Sequence, residues 1–72
     1  MLRLRVKEIL EERGISMTRL SRLADVNYKT VREMVYDPYR EVAYSTLHKI
    51  SKVLGVPITD LVEEVPDDRD KR

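Results

Sequence analysis

Between residues 16 and 36, apolar side chains recur at helical spacing on both sides of a short break. Each side carries apolar residues at i, i+3 and i+4, the spacing of a buried helix face. These residues are Leu20, Leu23 and Ala24 before the break and Val31, Met34 and Val35 after it. Asn27 follows the break and is a favourable N-cap, because its side-chain oxygen accepts a hydrogen bond from a free N–H at a helix start. The pattern predicts two short amphipathic helices at a sharp corner, and Ser16 is the expected N-cap of the first.

The same periodicity predicts three further helices. The first covers about residues 4–13 and ends at Gly14, which can adopt the left-handed conformation of a Schellman-type stop with Ile15 as its hydrophobic contact. Another covers about residues 44–54, and a short one covers about residues 58–62. The residues of the helix over 44–54 that we expect to face inward are Tyr44, Leu47, Ile50 and Leu54. The sequence therefore predicts five short helices and no convincing sheet.

Two local alternatives remain open. The alternation of Leu2, Leu4 and Val6 also fits a short strand at the start of the chain. The helix over residues 44–54 has an ambiguous start, since Ser45 is the chemically better N-cap although the apolar stripe already begins one residue earlier.

The domain is expected to span residues 1–65, with residues 66–72 as an acidic tail. The segment that begins at Val65 reads VPDDRDKR and has no apolar periodicity. A polar segment of this kind buries too little apolar surface to offset the entropy of ordering it. We expect the tail to be disordered.

Composition excludes several classes of site. The chain has 72 residues, no cysteine and one histidine, His48, so neither a disulfide framework nor a thiolate metal site is available. Its apolar runs are too short for a membrane span or a signal peptide. We expect a cytoplasmic protein that has no cofactor, no metal, no evident small-molecule ligand and no membrane contact, with His48 exposed and without a role.

The net charge of +1 hides an asymmetry along the chain. Residues 1–59 hold eleven Lys and Arg against seven Asp and Glu, whereas residues 60–72 hold three against six. Between residues 16 and 32, four basic residues face a single acid, Asp25. A charge run is often only a solvated surface, but local positive charge of this density is also what contacts phosphate.

The chain resembles the phage-repressor and Cro type of helix-turn-helix domain, the XRE family, over about residues 5–63. The matching segments are VKEILEERGIS as helix 1, MTRLSRLADV as helix 2, NYKTVREMV as recognition helix and TLHKISKVLGVPITDLV as the closing pair. The resemblance implies an all-α fold, a compact five-helix repressor-like bundle containing a helix-turn-helix. Ser21 lies where the family has a small residue, while Met17 replaces a frequent Gln and Asp25 replaces a frequent Gly of the turn.

Family docking implies that the helix beginning at Tyr28 enters the major groove. The implied base-contacting residues are Tyr28, Lys29, Arg32 and Glu33. Lys29 suits guanine O6 and N7, Glu33 suits cytosine N4, and Tyr28 suits a thymine methyl group or a phosphate. Each residue has a plainer interpretation: Tyr28 as a core side chain, Lys29 and Arg32 as solvated side chains, and Glu33 as an acid that orients a neighbouring Arg or Lys.

Other residues are expected to contact phosphate and to position the helix. They are Met17, Thr18, Arg19, Asn27, Thr30, Tyr36 and Arg40. One domain makes too small an interface for tight binding, so we expect a weak homodimer on a palindromic operator of double-stranded DNA. Its interface is expected at the apolar residues least needed by the core, Leu61, Val62 and Val65.

The sequence thus predicts a sequence-specific DNA-binding transcriptional regulator, with a repressor as the favoured role and an activator left open. An enzyme is not expected, because there is no Ser/His/Asp or paired-carboxylate arrangement and no glycine-rich phosphate loop. Two alternatives are a helical protein-interaction module, which the nearly neutral total charge favours, and the DNA-binding antitoxin component of a toxin–antitoxin pair.

Overall fold

The computed structural model describes residues 1–66 and is mostly helical. Four helices follow one another along the chain: α1 at Val6–Arg13, α2 at Met17–Ala24, α3 at Tyr28–Tyr36 and α4 at Tyr44–Leu54. Strand β1 at Leu2–Leu4 precedes them, and a 3₁₀ helix at Ile58–Asp60 and strand β2 at Val62–Glu64 follow. Nearly all of the predicted acidic tail lies outside the described residues.

Helices α1, α2 and α4 end in the same way. The residue after each helix is left-handed, with φ of 63° at Gly14, 54° at Asp25 and 68° at Gly55. The next N–H then donates back to a carbonyl five residues earlier, which satisfies an unpaired helix-end acceptor. These bonds join Ile15 to Leu10, Val26 to Ser21 and Val56 to Ser51, at 3.0 to 3.1 Å. The predicted stop at Gly14 is confirmed, and Asp25 does adopt the turn conformation in place of glycine.

The predicted N-caps of α2 and α3 are confirmed. The Ser16 hydroxyl accepts a hydrogen bond from the Arg19 N–H at 3.1 Å, and the Asn27 side-chain oxygen accepts one from the Lys29 N–H at 2.8 Å. Helix α4 begins at Tyr44 without a side-chain cap, so Ser45 does not serve as one.

The prediction of an all-α, five-helix bundle is wrong at both ends of the chain. Strands β1 and β2 pair antiparallel, with Arg3 opposite Glu63. The Arg3 guanidinium contacts the Glu63 carboxylate at 3.0 Å, a favourable cross-strand pair of opposite charges. The predicted fifth helix is only the three-residue 3₁₀ turn, because the chain must extend at Val62 to pair with β1. The open strand alternative for residues 2–4 is therefore the correct one.

The core lies between the four helices and the small sheet. Its buried apolar residues are Leu4, Val6, Ile9, Leu10, Leu20, Ala24, Val26, Val31, Met34, Ile50, Leu54 and Leu61. Two residues predicted to face inward do not: Leu23 is 54% exposed and Tyr44 is 71% exposed. Leu20 and Ala24 occupy the contact face of the two-turn α2, which leaves Leu23 at its margin. Tyr44 instead stacks on His48, which is exposed as expected, at 6.2 Å between ring centroids.

Candidate nucleic-acid interface

The corner between α2 and α3 is held by two hydrogen bonds between the same pair of residues. The Ser21 hydroxyl donates to the Val26 carbonyl at 2.6 Å, and the Val26 N–H donates to the Ser21 carbonyl at 3.1 Å. Val26 is also buried, whereas Asp25 and Asn27 on either side of it are exposed. The corner is therefore anchored through one apolar side chain and one hydroxyl, and α3 starts from a defined position.

Helix α3 presents one apolar and one polar face. Val31 and Met34 are almost fully buried. Of the residues predicted to contact bases, Tyr28, Lys29 and Arg32 are exposed and Glu33 is half-buried. A shallow concavity on this face is lined by Lys29, Arg32, Glu33 and Tyr36. The structure therefore brings Lys29, Arg32 and Glu33 together at one concavity, with Tyr28 exposed at the start of the same helix.

Two pairs of side chains on this face contact each other. The Arg32 guanidinium carbon lies 5.4 Å from the centroid of the Tyr36 ring, within the range of a cation–π contact. The Arg40 guanidinium pairs with the Glu33 carboxylate at 2.9 Å between Nη1 and Oε2. Lys29 has no carboxylate partner among residues 1–66. The surface thus carries three cations and one acid, and the acid is already paired.

The residues predicted to contact phosphate lie at the ends of α2 and α3. Thr18, Arg19, Asn27, Tyr36 and Arg40 are exposed, and Met17 and Thr30 are half-buried. Met17 packs against the core. The first backbone bond of α2 runs from the Leu20 N–H to the Ser16 carbonyl at 3.0 Å. The N–H groups of Met17 and Thr18 precede that bond and point out of the helix start, where the helix dipole favours an anion.

The interpretation of Leu61 as a residue not needed by the core is wrong. Its side chain is fully buried, and its carbonyl accepts a hydrogen bond from the Arg5 N–H at 2.7 Å. The residue lies between the 3₁₀ turn and β2, and this position directs it into the core. Val62 and Val65, predicted for the same interface, are half-buried and retain some accessible surface.

Sequence reasoning did not identify Arg40 as a partner of Glu33. The two residues are seven positions apart and lie on either side of a turn that contains Pro38. The sequence does hold a signal, because Pro38 fixes its own φ and disfavours a helical conformation at Asp37, which indicates a turn directly after α3. The plainer interpretation of Glu33, as an acid beside a basic residue, agrees with this contact.

The described residues form neither a candidate metal site nor a candidate membrane span. Across residues 1–66 no group of three His, Cys, Asp or Glu side chains is arranged to hold a metal ion. Over the same residues, no helix has the length and apolar character needed to cross a membrane.

Comparison with known proteins agrees with the geometry of the corner. No curated protein matches the chain at a significant level. A family model described as the Cro/C1-type HTH DNA-binding domain matches residues 5–67, which include all four helices and the corner between α2 and α3. The chain therefore belongs to the Cro/C1-type helix-turn-helix DNA-binding domain family.

Proposed function

We propose that this protein is a transcriptional repressor that binds a specific duplex sequence by placing α3 in the major groove. The observation that carries the proposal is the exposed polar face of α3, which holds Tyr28, Lys29 and Arg32 beside one another on a helix anchored by its N-terminal corner. The major groove of B-DNA is wide enough for such a helix and presents a distinct pattern of donors and acceptors at each base pair. Occupying an operator that overlaps a promoter would exclude polymerase.

Within this proposal the exposed residues divide into two roles. Lys29 donates to guanine O6 and N7, and Tyr28 packs on a thymine methyl group or donates to a phosphate. Arg19 and the N–H groups at the start of α2 bind phosphate and set the register of the helix on the duplex. Asn27 and Thr30 add phosphate contacts on either side of Lys29.

We further propose that two copies bind a palindromic operator in the cytoplasm. A single module buries roughly 600–1,000 Å², which is little for tight specific binding. Two recognition helices about 34 Å apart would read two half-sites one turn of DNA apart. Val62 and Val65 remain the proposed contacts between the copies, because they keep accessible apolar surface where Leu61 does not.

Selection of bound sequences from a random duplex pool, followed by binding titrations, tests the proposal. Lys29→Ala should weaken the selected site by about 1–3 kcal/mol and remove the preference at one base position. Arg19→Ala should weaken all sequences about equally and reduce the salt slope by about 1. Lys52→Ala, an exposed lysine in the last turn of α4, is the matched control and should change neither quantity.

The selection also separates this function from its rival. A protein-interaction module that never contacts DNA would enrich no sequence and would not shift duplex DNA even at low salt. A uniform loss for Lys29→Ala on every sequence would instead assign Lys29 to phosphate.

A further inference from the structure

The loop after α3 returns Arg40 to the end of that helix. The Asp37 N–H donates to the Glu33 carbonyl at 2.8 Å, and the Arg40 N–H donates to the Asp37 carbonyl at 3.3 Å. The Pro38 carbonyl accepts a hydrogen bond from the Leu4 N–H of β1 at 2.7 Å. Because the loop is bonded to α3 on one side and to β1 on the other, the position of the Arg40 backbone is defined before any ligand binds.

The Arg40 side chain then lies against α3 and contacts Glu33. Its Nη1 is 2.9 Å from Glu33 Oε2, and the two side chains are 39% and 40% exposed. An ion pair as exposed as this contributes little to folding stability. Lys29 is one helical turn before Glu33, an i, i+4 spacing in the less favourable Lys-to-Glu order, and the carboxylate contacts Arg40 instead. The consequence of the pair is positional: it keeps a guanidinium on the polar face of α3.

We propose that Arg40 reads a guanine of the operator and that Glu33 is the positioning residue that holds the Arg40 guanidinium for this contact. The proposal rests on the proposed function, since it requires α3 to lie in the major groove. It replaces two simpler roles, Arg40 as a phosphate contact and Glu33 as a reader of cytosine.

The chemistry of the two groups supports these roles. Guanine presents two acceptors, O6 and N7, and a guanidinium has five N–H donors in a planar fork, so one donor can serve Glu33 while two others bind the base. A lone carboxylate on this face would repel the phosphates and the guanine acceptors, whereas a paired carboxylate is largely neutralised. Holding Arg40 in place also reduces the entropy that is lost when its side chain is ordered on binding.

A panel of duplexes, in each of which one base pair of the selected operator is replaced, tests the proposal. Arg40→Ala should weaken the operator about 10- to 100-fold and abolish discrimination at one G·C pair. Glu33→Gln should reduce the discrimination at the same G·C pair by about 2- to 10-fold, because the cost of ordering the Arg40 side chain returns. The double variant should be no weaker than Arg40→Ala, because Glu33 acts only through Arg40.

Two further variants serve as controls. Glu41→Gln removes the same charge from an exposed acid next to Arg40 that is in none of the ion pairs within residues 1–66, and it should leave every base preference unchanged. Arg40→Lys keeps the charge but loses the planar fork that would bind Glu33 and guanine at the same time, so it should retain binding to unrelated DNA and reduce the guanine preference. Thermal unfolding of each variant should match that of the wild type, because an ion pair as exposed as that of Arg40 and Glu33 contributes little to stability.

Distinct results would overturn the proposal. If Arg40→Ala weakens every duplex equally, Arg40 contacts phosphate. If Glu33→Gln alters the preference at a base pair that Arg40→Ala leaves unchanged, Glu33 reads that base itself. If the wild-type protein selects no duplex at all, the proposed function fails, and that failure is visible before any variant is compared.

Discussion

The Ser21 hydroxyl donates to the Val26 carbonyl across 2.6 Å, and this contact joins the last turn of α2 to the residue before the cap of α3. The resemblance to the family accounts only for the small size of Ser21. The structure gives it a second role, since its hydroxyl satisfies a carbonyl at the corner that helical bonds do not reach. The direction of α3 therefore depends on a side chain of α2 that lies outside the polar face of α3.

Ser21→Ala should destabilise the fold by about 1 kcal/mol, because the half-buried Val26 carbonyl loses its hydroxyl partner. Urea unfolding followed by circular dichroism measures this change. Ser45→Ala in the first turn of α4 is the matched control, since Ser45 is exposed and the substitution has the same effect on helix propensity. Equal changes for the two variants would show that the hydroxyl contributes nothing at the corner.

Asp25 offers a separate test of the corner, because its backbone is left-handed with φ of 54°. Asp25→Gly should stabilise the protein by about 0.5–1 kcal/mol by relieving the steric cost of a side chain in this conformation. Asp25→Ala should be destabilising, since alanine has no side-chain oxygen to favour the left-handed region. Thermal unfolding of the two variants measures both changes.

The charge of Asp25 is expected to act on DNA binding independently of its backbone. Asp25→Asn keeps a residue that tolerates the left-handed region and removes the single acid between residues 16 and 32. We expect unchanged stability and tighter binding to all duplexes, with the largest gain at low salt. Titration at two ionic strengths checks this, and a gain limited to one sequence would contradict it.

The features that sequence reasoning located correctly are local ones. The caps at Ser16 and Asn27 and the stop at Gly14 each depend on groups within six residues of one another. Such hydrogen bonds are determined by residue type and backbone conformation alone. For this reason the corner and the polar face of α3 could be predicted before the tertiary arrangement was known.

The features that sequence reasoning missed depend on distant partners. Leu4 pairs with Val62, nearly sixty residues away, and the spacing of apolar residues near the start of the chain suits a strand as well as a helix. The contact between Arg40 and Glu33 likewise requires the path of a loop that is bonded to β1. The periodicity places Tyr44 on the same helix face as core residues. It does not show that this face extends beyond the core at Tyr44, whose side chain is exposed.

The pairing of Arg3 makes the small sheet sensitive to pH through Glu8. Burial raises the pKa of Glu8, but hydrogen bonds from Arg3 and from its own backbone, with the positive charges of Arg3 and Arg5, leave that pKa below its ordinary value of 4.5. A carboxyl whose pKa is lower in the folded state stabilises the fold above its unfolded-state pKa. This stabilisation is lost as the pH falls through the folded-state pKa.

Glu8→Gln should therefore lower the free energy of unfolding at pH 7, and the difference from the wild type should shrink as the pH falls from about 5 to about 3. Urea unfolding at several pH values measures this convergence. Glu12→Gln, an exposed glutamate of the same helix with no ion pair in the described residues, should show no such convergence. A pH-independent difference for Glu8→Gln would mean that the side chain acts through packing rather than charge.

Leu61 is buried in the core, whereas Val62 and Val65 keep accessible surface. Substitutions in this segment can therefore test folding and the proposed self-association separately. Leu61→Ala should destabilise the protein by about 2–5 kcal/mol, since it leaves a cavity in the core beneath the sheet. Val65→Ala removes apolar surface from a half-buried residue and should cost much less. Thermal unfolding measures the first difference, and sedimentation equilibrium measures the proposed dimer. If neither Val65→Ala nor Val62→Ala changes the monomer–dimer equilibrium, the two copies do not contact each other through these residues. The proposed dimer would then need a different interface.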